Sequence, residues 1–493
     1  MQVYHNLIKM SIIRTRYAPS PTGYLHAGQI RSALFNYLFA KQKNGVFVLR
    51  IEDTDRERSK KEFEDAIYED LKWLGIEPDE SPRHGGDFGP YRQSERGPRY
   101  RQYLEKLISE KKAFFCFHSE EETFAGKFAI HRCDHKKLSE KQREEKVASK
   151  ESYVIRFDIS QIKGSVGFKD LVRGDLSFDP EHLEDFSIAR NLEAPLYNFA
   201  VVIDDHEMAI THVVRGEDHI SNTHKQLLLY KALGFKKPEA FAHLPLVLAP
   251  DRSKLSKRKG AKAIGQYREE GYLPEALLNF LALLGWSPGN DRELLSKEDL
   301  IKEFSLERVQ KSGAVFDEEK LNWMNGEYIR SKPPLELVEL VRPFLEKSGW
   351  LQNPKPKIQN PNDYLKKIIE LEQSRLKKLS EIGERTDYFF KDPEYNKELL
   401  CWKKMSDEEL RASIDKSIQI VSDPKLEFNR TGLEAKFLEE IGIGGDKGSV
   451  LWPLRAALSG KKASPGPFEL MDVLGREETL KRLTKARAQC ILQ

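Results

Sequence analysis

Arg14-Thr15-Arg16-Tyr17-Ala18-Pro19-Ser20-Pro21-Thr22-Gly23-Tyr24-Leu25-His26-Ala27-Gly28-Gln29 is the stretch around which the chain is organised. Two β-branched residues, Ile12 and Ile13, lead into it; Ile30, Leu34, Tyr37 and Leu38 leave it at helical spacing. The segment between is rich in Pro, Ser, Thr and Gly. The pattern predicts a strand, a turn and a helix N-terminus. In a doubly wound sheet, that arrangement aims backbone N–H groups and the helix dipole at a phosphate. Gly28 has no Cβ, so a planar ring or a phosphate can lie against the backbone there. His26 supplies a donor at the same place. The stretch has neither GxGxxG nor Walker spacing. On its own it also fits a Pro-rich loop before an ordinary helix.

A second stretch agrees with the first. Asp251-Arg252-Ser253-Lys254-Leu255-Ser256-Lys257-Arg258-Lys259-Gly260 is basic and lies far downstream. By itself it is a solvated basic loop. Paired with the first, it resembles the His-x-Gly-His and Lys-Met-Ser-Lys-Ser signatures of class I aminoacyl-tRNA synthetases. The segments APSPTGYLH (from Ala18), LFNYLFAK (from Leu34), RIEDTDR (from Arg50) and YNFAVVIDDH (from Tyr197) narrow the match. So do ITHVVRGEDHISNT (from Ile210), FAHLPLVL (from Phe241) and WMNGEYIR (from Trp323). In this order they resemble the bacterial glutamyl-tRNA synthetase family, from about Arg14 to the end of the chain.

The bulk properties set limits. A chain of 493 residues is long enough for about three domains. Charged residues make up 32% and hydrophobic residues 39%, which fits a helix-rich protein with solvated faces. A net charge of +3 excludes a polyelectrolyte, so a nucleic-acid partner must meet local basic patches. No apolar run reaches membrane-spanning length. Met1 to Met10 lack the apolar core of a signal peptide. They are either an extension ahead of Met10 or a start-site artefact. Four cysteines argue against a disulfide framework and for a reducing cytoplasm.

Val46 to Ile51 reads as a second strand, ending in Glu52-Asp53-Thr54-Asp55. Acidic residues at a strand's C-terminal end sit where an open α/β sheet places ligand contacts. They serve equally as caps for the next helix. That helix carries Phe63, Ile67, Leu71 and Leu74 on one face and stops at Gly75. Further on, Leu196 to His206 reads as a strand entering an acidic end. Ile210 to Val214 is another strand, leading to Arg215. An arginine there is shaped for bidentate carboxylate recognition. The alternative is a structural partner for Glu217 or Asp218. Asp204, Asp205, His206, Glu217 and His219 match no standard metal spacing. A strand over Leu244 to Leu248 precedes the basic loop, and Pro274 to Trp286 is an apolar helix.

Between Ala113 and Ala194 the pattern shifts to short helices and Gly-punctuated strands, which reads as an insertion. It holds Cys116-Phe117-His118 and Cys133-Asp134-His135. Two Cys-x-His pairs supply four ligands of the kind tetrahedral zinc takes, with His131 as a competitor. Otherwise Cys116 is a buried strand residue and the histidines are solvated. Members of the family often carry a Cys-x-Cys pair at the first position, and some lack the metal. This chain has His118 where the second cysteine is common.

The resemblance implies a multidomain α/β fold in four parts. Residues 11–112 with 195–250 form a Rossmann-like catalytic domain, and 113–194 an inserted domain that grips the tRNA acceptor stem. Residues 251–333 carry the signature loop and a stem-contact region. Residues 334–493 form an all-helical anticodon-binding domain, entered through a Pro/Asn-rich linker at about 353–361. The motifs LWPLRAALSG (from Leu451) and LGREETLKRL (from Leu474) support that last domain.

The resemblance also implies an activity: ATP-dependent attachment of L-glutamate to tRNA(Glu) through a glutamyl-adenylate, in the cytoplasm, by a monomer. Arg16, Ala18, Ser20, Glu52, Tyr197 and Arg215 correspond to the glutamate pocket, with Glu52 on the α-amino group. His26, Gly28 and Lys257 correspond to the ATP site, with His26, Lys254 and Lys257 as the catalytic donors. Mg²⁺ bridges the ATP phosphates, and one structural Zn²⁺ accompanies Cys116, His118, Cys133 and His135. Gln29 stands where the general signature has its second histidine. The alternatives are a form that also charges tRNA(Gln), or a glutaminyl enzyme, which would end in β-barrels and not need Arg215.

Overall fold

In the computed structural model, residues 12–118, 133–149, 151–256, 259–350, 360–442 and 445–490 are described. Lys257, His131 and all of the linker before Asn360 lie outside them. β1 (Arg14–Tyr17) and β2 (Val46–Leu49) run parallel, with Arg14 opposite Val46 and Tyr17 opposite Leu49. α1 (Ala27–Gln42) connects them and is buried over most of its circumference by Ile30, Leu34, Phe35, Leu38 and Phe39. The turn into β2 needs glycine: a Cβ on Gly45 would run into the Ile13 carbonyl. α2 (Lys61–Trp73) buries Ile67 and Leu71 and is followed by Gly75 at φ +66°. α3 (Gly97–Ser109) follows.

Six strands come next: β3 (Ala113–Cys116), β4 (Val154–Phe157), β5 (Val166–Asp170), β6 (Gly174–Phe178), β7 (Phe186–Asn191) and β8 (Ala194–Pro195). A short helix, Glu140–Ala148, lies between β3 and β4. β3, β4, β7 and β8 form one antiparallel sheet in that order. β5 and β6 go elsewhere. They join the two strands that follow, β9 (His212–Gly216) and β10 (Ala240–Leu244), in a sheet ordered β6-β5-β10-β9. β10 runs parallel to both of its neighbours. So a hairpin from the predicted insertion is hydrogen-bonded to a strand of the predicted catalytic part.

β9 lies beside β1. The Thr211 N–H donates to the Arg14 carbonyl at 3.0 Å, and Asn36 Nδ2 on α1 donates to the Val214 carbonyl at 2.9 Å. β1, β2, β9 and β10 thus give the parallel, helix-covered arrangement of a Rossmann-like fold.

Two sequence expectations fail locally. The run from Leu196 is not a strand but a helix, α4 (Tyr197–Glu207). Phe199 to Ile203 are all buried, and Phe199, Ala200, Val202 and Ile203 share one cluster with residues of α3 and of the next helix, α5 (Ile220–Leu233). A helix buried on all sides and a buried strand give the same short apolar run. The strand expected over Leu244 to Leu248 is two. β10 ends at Leu244, Pro245 interrupts the ladder, and β11 (Val247–Leu248) pairs with β12 (Ala314–Val315) instead.

The chain divides into two units: residues 1–267 with 274–318, and residues 268–273 with 319–493. The second unit is helical. Its longer helices include Pro334–Lys347, Pro361–Glu372, Asp407–Ser422, Arg430–Ile441, Lys447–Ser459 and Pro467–Gln489. A Ser406/Glu409 capping box starts the third of these, and Gly475 at φ +79° kinks the last. Leu433, Phe437, Leu454, Leu458, Leu470 and Leu483 are buried within this unit. No helix among the described residues is long and apolar enough to cross a membrane.

Candidate active site

A cleft of about 440 Å³ opens at the C-terminal ends of β1 and β9. This is where parallel sheets place ligands, because the strands end and the helix N-termini point inward. Arg16, Ala18, Ser20, His26, Gly28, Glu52, Tyr197, Arg215 and Lys254 all line it. Every site residue expected from the sequence is therefore in one place, apart from Lys257 and the Cys/His set.

His26 precedes α1 as its N-cap, in extended conformation. Gln29 closes on it, with its side-chain oxygen 3.2 Å from the His26 N–H. The departure at Gln29 thus supplies a cap acceptor. A Cβ on Gly28 would stand 3.4 Å from His26 Cε1 and 3.9 Å from Val247 Cγ2, filling the floor between two lining side chains. The chain around the basic loop is anchored at Leu255, within it, and at Ile264, just beyond it. Leu255 N–H donates to the Val247 carbonyl at 3.0 Å, and Ile264 N–H donates to the Leu25 carbonyl at 3.0 Å. Lys254 reaches the cleft and pairs with Asp218.

The acidic residues behind the cleft are committed to arginines. Asp205 accepts from Arg16 at 3.1 Å and from Arg50 at 2.7 Å. Asp204 accepts from Arg96 at 2.6 Å and from Tyr100 at 2.8 Å. Glu52 accepts from Arg50 at 3.0 Å. Burial pushes the Glu52 carboxyl up, and the Arg50 charge opposes the rise. Glu217 pairs with Arg173 and accepts from the Leu246 N–H at 2.9 Å. The carboxylates of the Asp/His/Glu run are thus held in ion pairs, while His206 stacks on Phe235. Among the described residues, the ligand cluster that could hold a metal lies elsewhere.

Arg215 is different. It is 7% exposed and pairs with neither Glu217 nor Asp218. Its Nη2 donates to Thr223 Oγ1 at 2.6 Å and to Gln226 Oε1 at 2.8 Å, and its Nη1 to the Tyr197 hydroxyl at 3.4 Å. All three acceptors are neutral. Burial lowers its pKa from the usual arginine value. A desolvated guanidinium without a carboxylate is costly, and it stands ready for an incoming anion. His219, 3.2 Å from the Tyr197 hydroxyl, is held neutral: burial first, then the Arg215 charge, lowers it to about 4.

Residues 12–323 match the model of the class I tRNA synthetases (E and Q) catalytic domain, and residues 336–487 match an anticodon binding domain. A glutamate–tRNA ligase of Carboxydothermus hydrogenoformans is 46% identical over 96% of this chain and 99% of its own. One from Syntrophomonas wolfei is 44% identical over 97% and 96%. The chain belongs to the glutamate–tRNA ligase family. A crystal structure of a glutamate tRNA ligase from Elizabethkingia meningosepticum, in complex with its amino acid, superimposes with a TM-score of 0.86. It is 36% identical and covers 97% of this chain and 99% of that one.

In this glutamate–tRNA ligase family member, a second cluster lies away from the cleft. The ligating atoms of Cys116, His118, Cys133 and His135 fall within 4.8 Å of one another. The two sulfurs are 3.4 Å apart, and His118 Nδ1 is 3.5 Å from one and 3.4 Å from the other. Both cysteines are free thiols. The Cys133 S–H donates to Cys116, pulling the Cys116 thiol well down and pushing its own up. The N–H of Phe117 also approaches His135 Nδ1, at 3.2 Å.

Sequence reasoning missed Thr223, Gln226 and His243 around Arg215. The ITHVVRGEDHISNT and FAHLPLVL segments contained two of them, but no spacing rule links Thr223 to His243.

Proposed function

We propose that this chain activates L-glutamate with ATP and transfers it to tRNA(Glu). The observation that carries the reading is Arg215, a buried guanidinium lining the cleft with only neutral partners. The substrate's side-chain carboxylate would complete it with charge-assisted hydrogen bonds. Glu52 would take the α-amino group, and Tyr197, Arg16, Ala18 and Ser20 would shape the rest of the pocket. The α-carboxylate then attacks the α-phosphorus of ATP. A phosphorus–oxygen bond forms, the bond to pyrophosphate breaks, and glutamyl-adenylate results. The 2′-hydroxyl of the tRNA's terminal adenosine attacks the acyl carbon, and AMP leaves.

Neither step needs a protein nucleophile. Positioning and stabilisation of phosphate charge suffice, from His26, Lys254, Lys257 and the start of α1. Two carboxylates line the cleft, and both are engaged: Glu52 by Arg50 and Asp218 by Lys254. That fits Mg²⁺ held chiefly by the triphosphate's own oxygens rather than in a protein cage.

The Cys/His cluster fits zinc. Tetrahedral bonds of about 2.3 Å to sulfur and 2.0–2.1 Å to nitrogen put ligand atoms roughly 3.4–3.8 Å apart; four of the six pairs here are 3.4–3.6 Å apart, and all lie within 4.8 Å. Four protein ligands leave no open position, so the ion would tie β3 to the turn at Asp134–Lys137. The second unit would bind the anticodon arm. Aminoacylation of tRNA(Glu) with labelled glutamate, against glutamine as control, tests the reading. Charging with glutamine alone, or none with either, would overturn it.

A further inference from the structure

Arg215 is held from behind by a chain of hydrogen bonds that ends on a buried carboxylate. Thr223 Oγ1 accepts from Arg215 at 2.6 Å and lies 2.8 Å from His243 Nε2. His243 Nδ1 lies 2.6 Å from Asp170 Oδ2. Thr223 and His243 are fully buried, and Asp170 nearly so. Four elements contribute: β9, α5, β10 and β5.

We propose that Thr223, His243 and Asp170 are positioning residues that orient the Arg215 guanidinium without neutralising it. The inference rests on the reading of Arg215 given above.

Donor and acceptor capacities fix the order. A guanidinium only donates, so Thr223 Oγ1 must accept from Arg215. Its own O–H then goes to His243 Nε2; the His219 carbonyl, at 3.2 Å, is a longer alternative. Nε2 must therefore be bare, which puts the ring proton on Nδ1, donated to Asp170. Burial, aided by the Arg215 charge, outweighs the opposing pull of Asp170 and lowers the pKa of this imidazole, which favours the neutral ring. Burial opposes ionisation of Asp170, but His243 and the N–H groups of Val172 and Arg173, at 2.9 and 2.8 Å, hold its carboxyl below its usual value.

The distance matters as much as the contacts. A carboxylate bonded directly to Arg215 would compete with the substrate's own. Placed two residues back, the Asp170 charge fixes the proton direction along the chain and leaves the guanidinium's charge to the ligand. Hydrogen bonds in such a chain also polarise one another.

The test cuts the relay in the middle. Thr223→Val keeps shape and removes the hydroxyl; Thr223→Ser restores it; Asp170→Asn keeps shape and removes the charge. Full-length variants are compared by kcat/KM for glutamate and glutamine, by KM for ATP and by thermal midpoint. Thr223→Val is expected to lower kcat/KM for glutamate about tenfold or more, the size of a lost hydrogen bond to a charged group. The loss should appear mainly in the glutamate KM, with the ATP KM within about twofold and glutamine little affected. Thr223→Ser should recover most of the loss, and Asp170→Asn should shift the same parameter in the same direction. Equal losses for glutamate, glutamine and ATP would make the relay merely structural and overturn the proposal. So would Thr223→Val at native glutamate kcat/KM. Arg215→Gln in the same series separates the two readings. If it loses glutamate selectively while Thr223→Val does not, only the relay fails. If it loses both amino acids equally, the role of Arg215 itself fails.

Discussion

Lys254 Nζ lies 3.0 Å from Asp218 Oδ2 at the rim of the cleft. Burial opposes ionisation of Asp218, but the Lys254 ammonium holds its carboxyl below the ordinary range. Both side chains are about half exposed, so the pair is a modest one, worth about 0.2–1 kcal/mol. An arriving triphosphate must compete for Lys254 against this carboxylate. Asp218→Asn is therefore expected to lower the KM for ATP by up to about fivefold, and Lys254→Ala to raise it. Pyrophosphate exchange with glutamate and tRNA present measures both. An unchanged ATP KM in both variants would remove Lys254 from the phosphate site.

Lys257→Ala should spare glutamate binding and slow the chemical step. Removal of one donor to developing phosphate charge typically costs about 10²–10³ in kcat. Rapid-quench measurement of adenylate formation decides it, and near-native rates would rule the lysine out.

Arg215 should separate glutamate from glutamine by charge, since the two differ little in size. Facing an amide, the buried guanidinium is left badly paired, at a cost of about 3–5 kcal/mol, or two to four decades in kcat/KM. Arg215→Gln is expected to cut glutamate use far more than glutamine use. Arg16 already gives its Nε to Asp205, which limits how far it can substitute. An equal fall for both amino acids would count against charge recognition.

One zinc per chain is expected by elemental analysis of untagged protein. Cys116→Ser with Cys133→Ser should lose it. Chelation should lower the thermal midpoint while leaving a cleft that still binds ATP. Zinc retained by the double variant would place the ion elsewhere.

His219 makes a prediction about acid. Its folded-state value is about 4 against 6.5 unfolded. Between those values the unfolded chain binds the proton and the folded one does not, so this group lowers stability as pH falls from 6.5 towards 4 and does nothing above. His219→Gln should therefore lose less of its thermal midpoint than the native chain between pH 7 and pH 5. Parallel losses would mean that His219 is protonated in the folded state.

Local rules reached some of the molecule and not the rest. The turn before α1 was legible because Pro, Gly and helical spacing act within a few residues. Arg215 was legible because a strand end is a ligand position. The helix at Tyr197–Glu207 was not, since burial all round erases the helical period. Thr223 and His243 were not, because a polar residue in an apolar segment gives no hint of its partner. Asp170 and His243 meet across 73 residues through a β5–β10 pairing that crosses the predicted insertion. The two Cys-x-His pairs suggested the cluster of Cys116 with Cys133, but spacing could not tell it from a buried strand cysteine with solvated histidines.

The pairing of early with late strands also sets a timetable for synthesis. Arg14 bonds to Thr211, 197 residues further along the chain. At roughly 5–20 residues per second, β9 leaves the ribosome about 10–40 s after β1. Through that interval β1 and β2 lack their later neighbour, and the edge of β1 beside which β9 will lie stays bare. A two-strand pair is not stable by itself, so the cleft cannot be assembled piecemeal from the N-terminus. The nascent chain must carry an unfinished sheet, rich in Phe47, Val48 and Leu49, through most of its first 250 residues. A chaperone that binds short apolar strands should accordingly hold nascent chains ending before β9 and release those extending beyond β10.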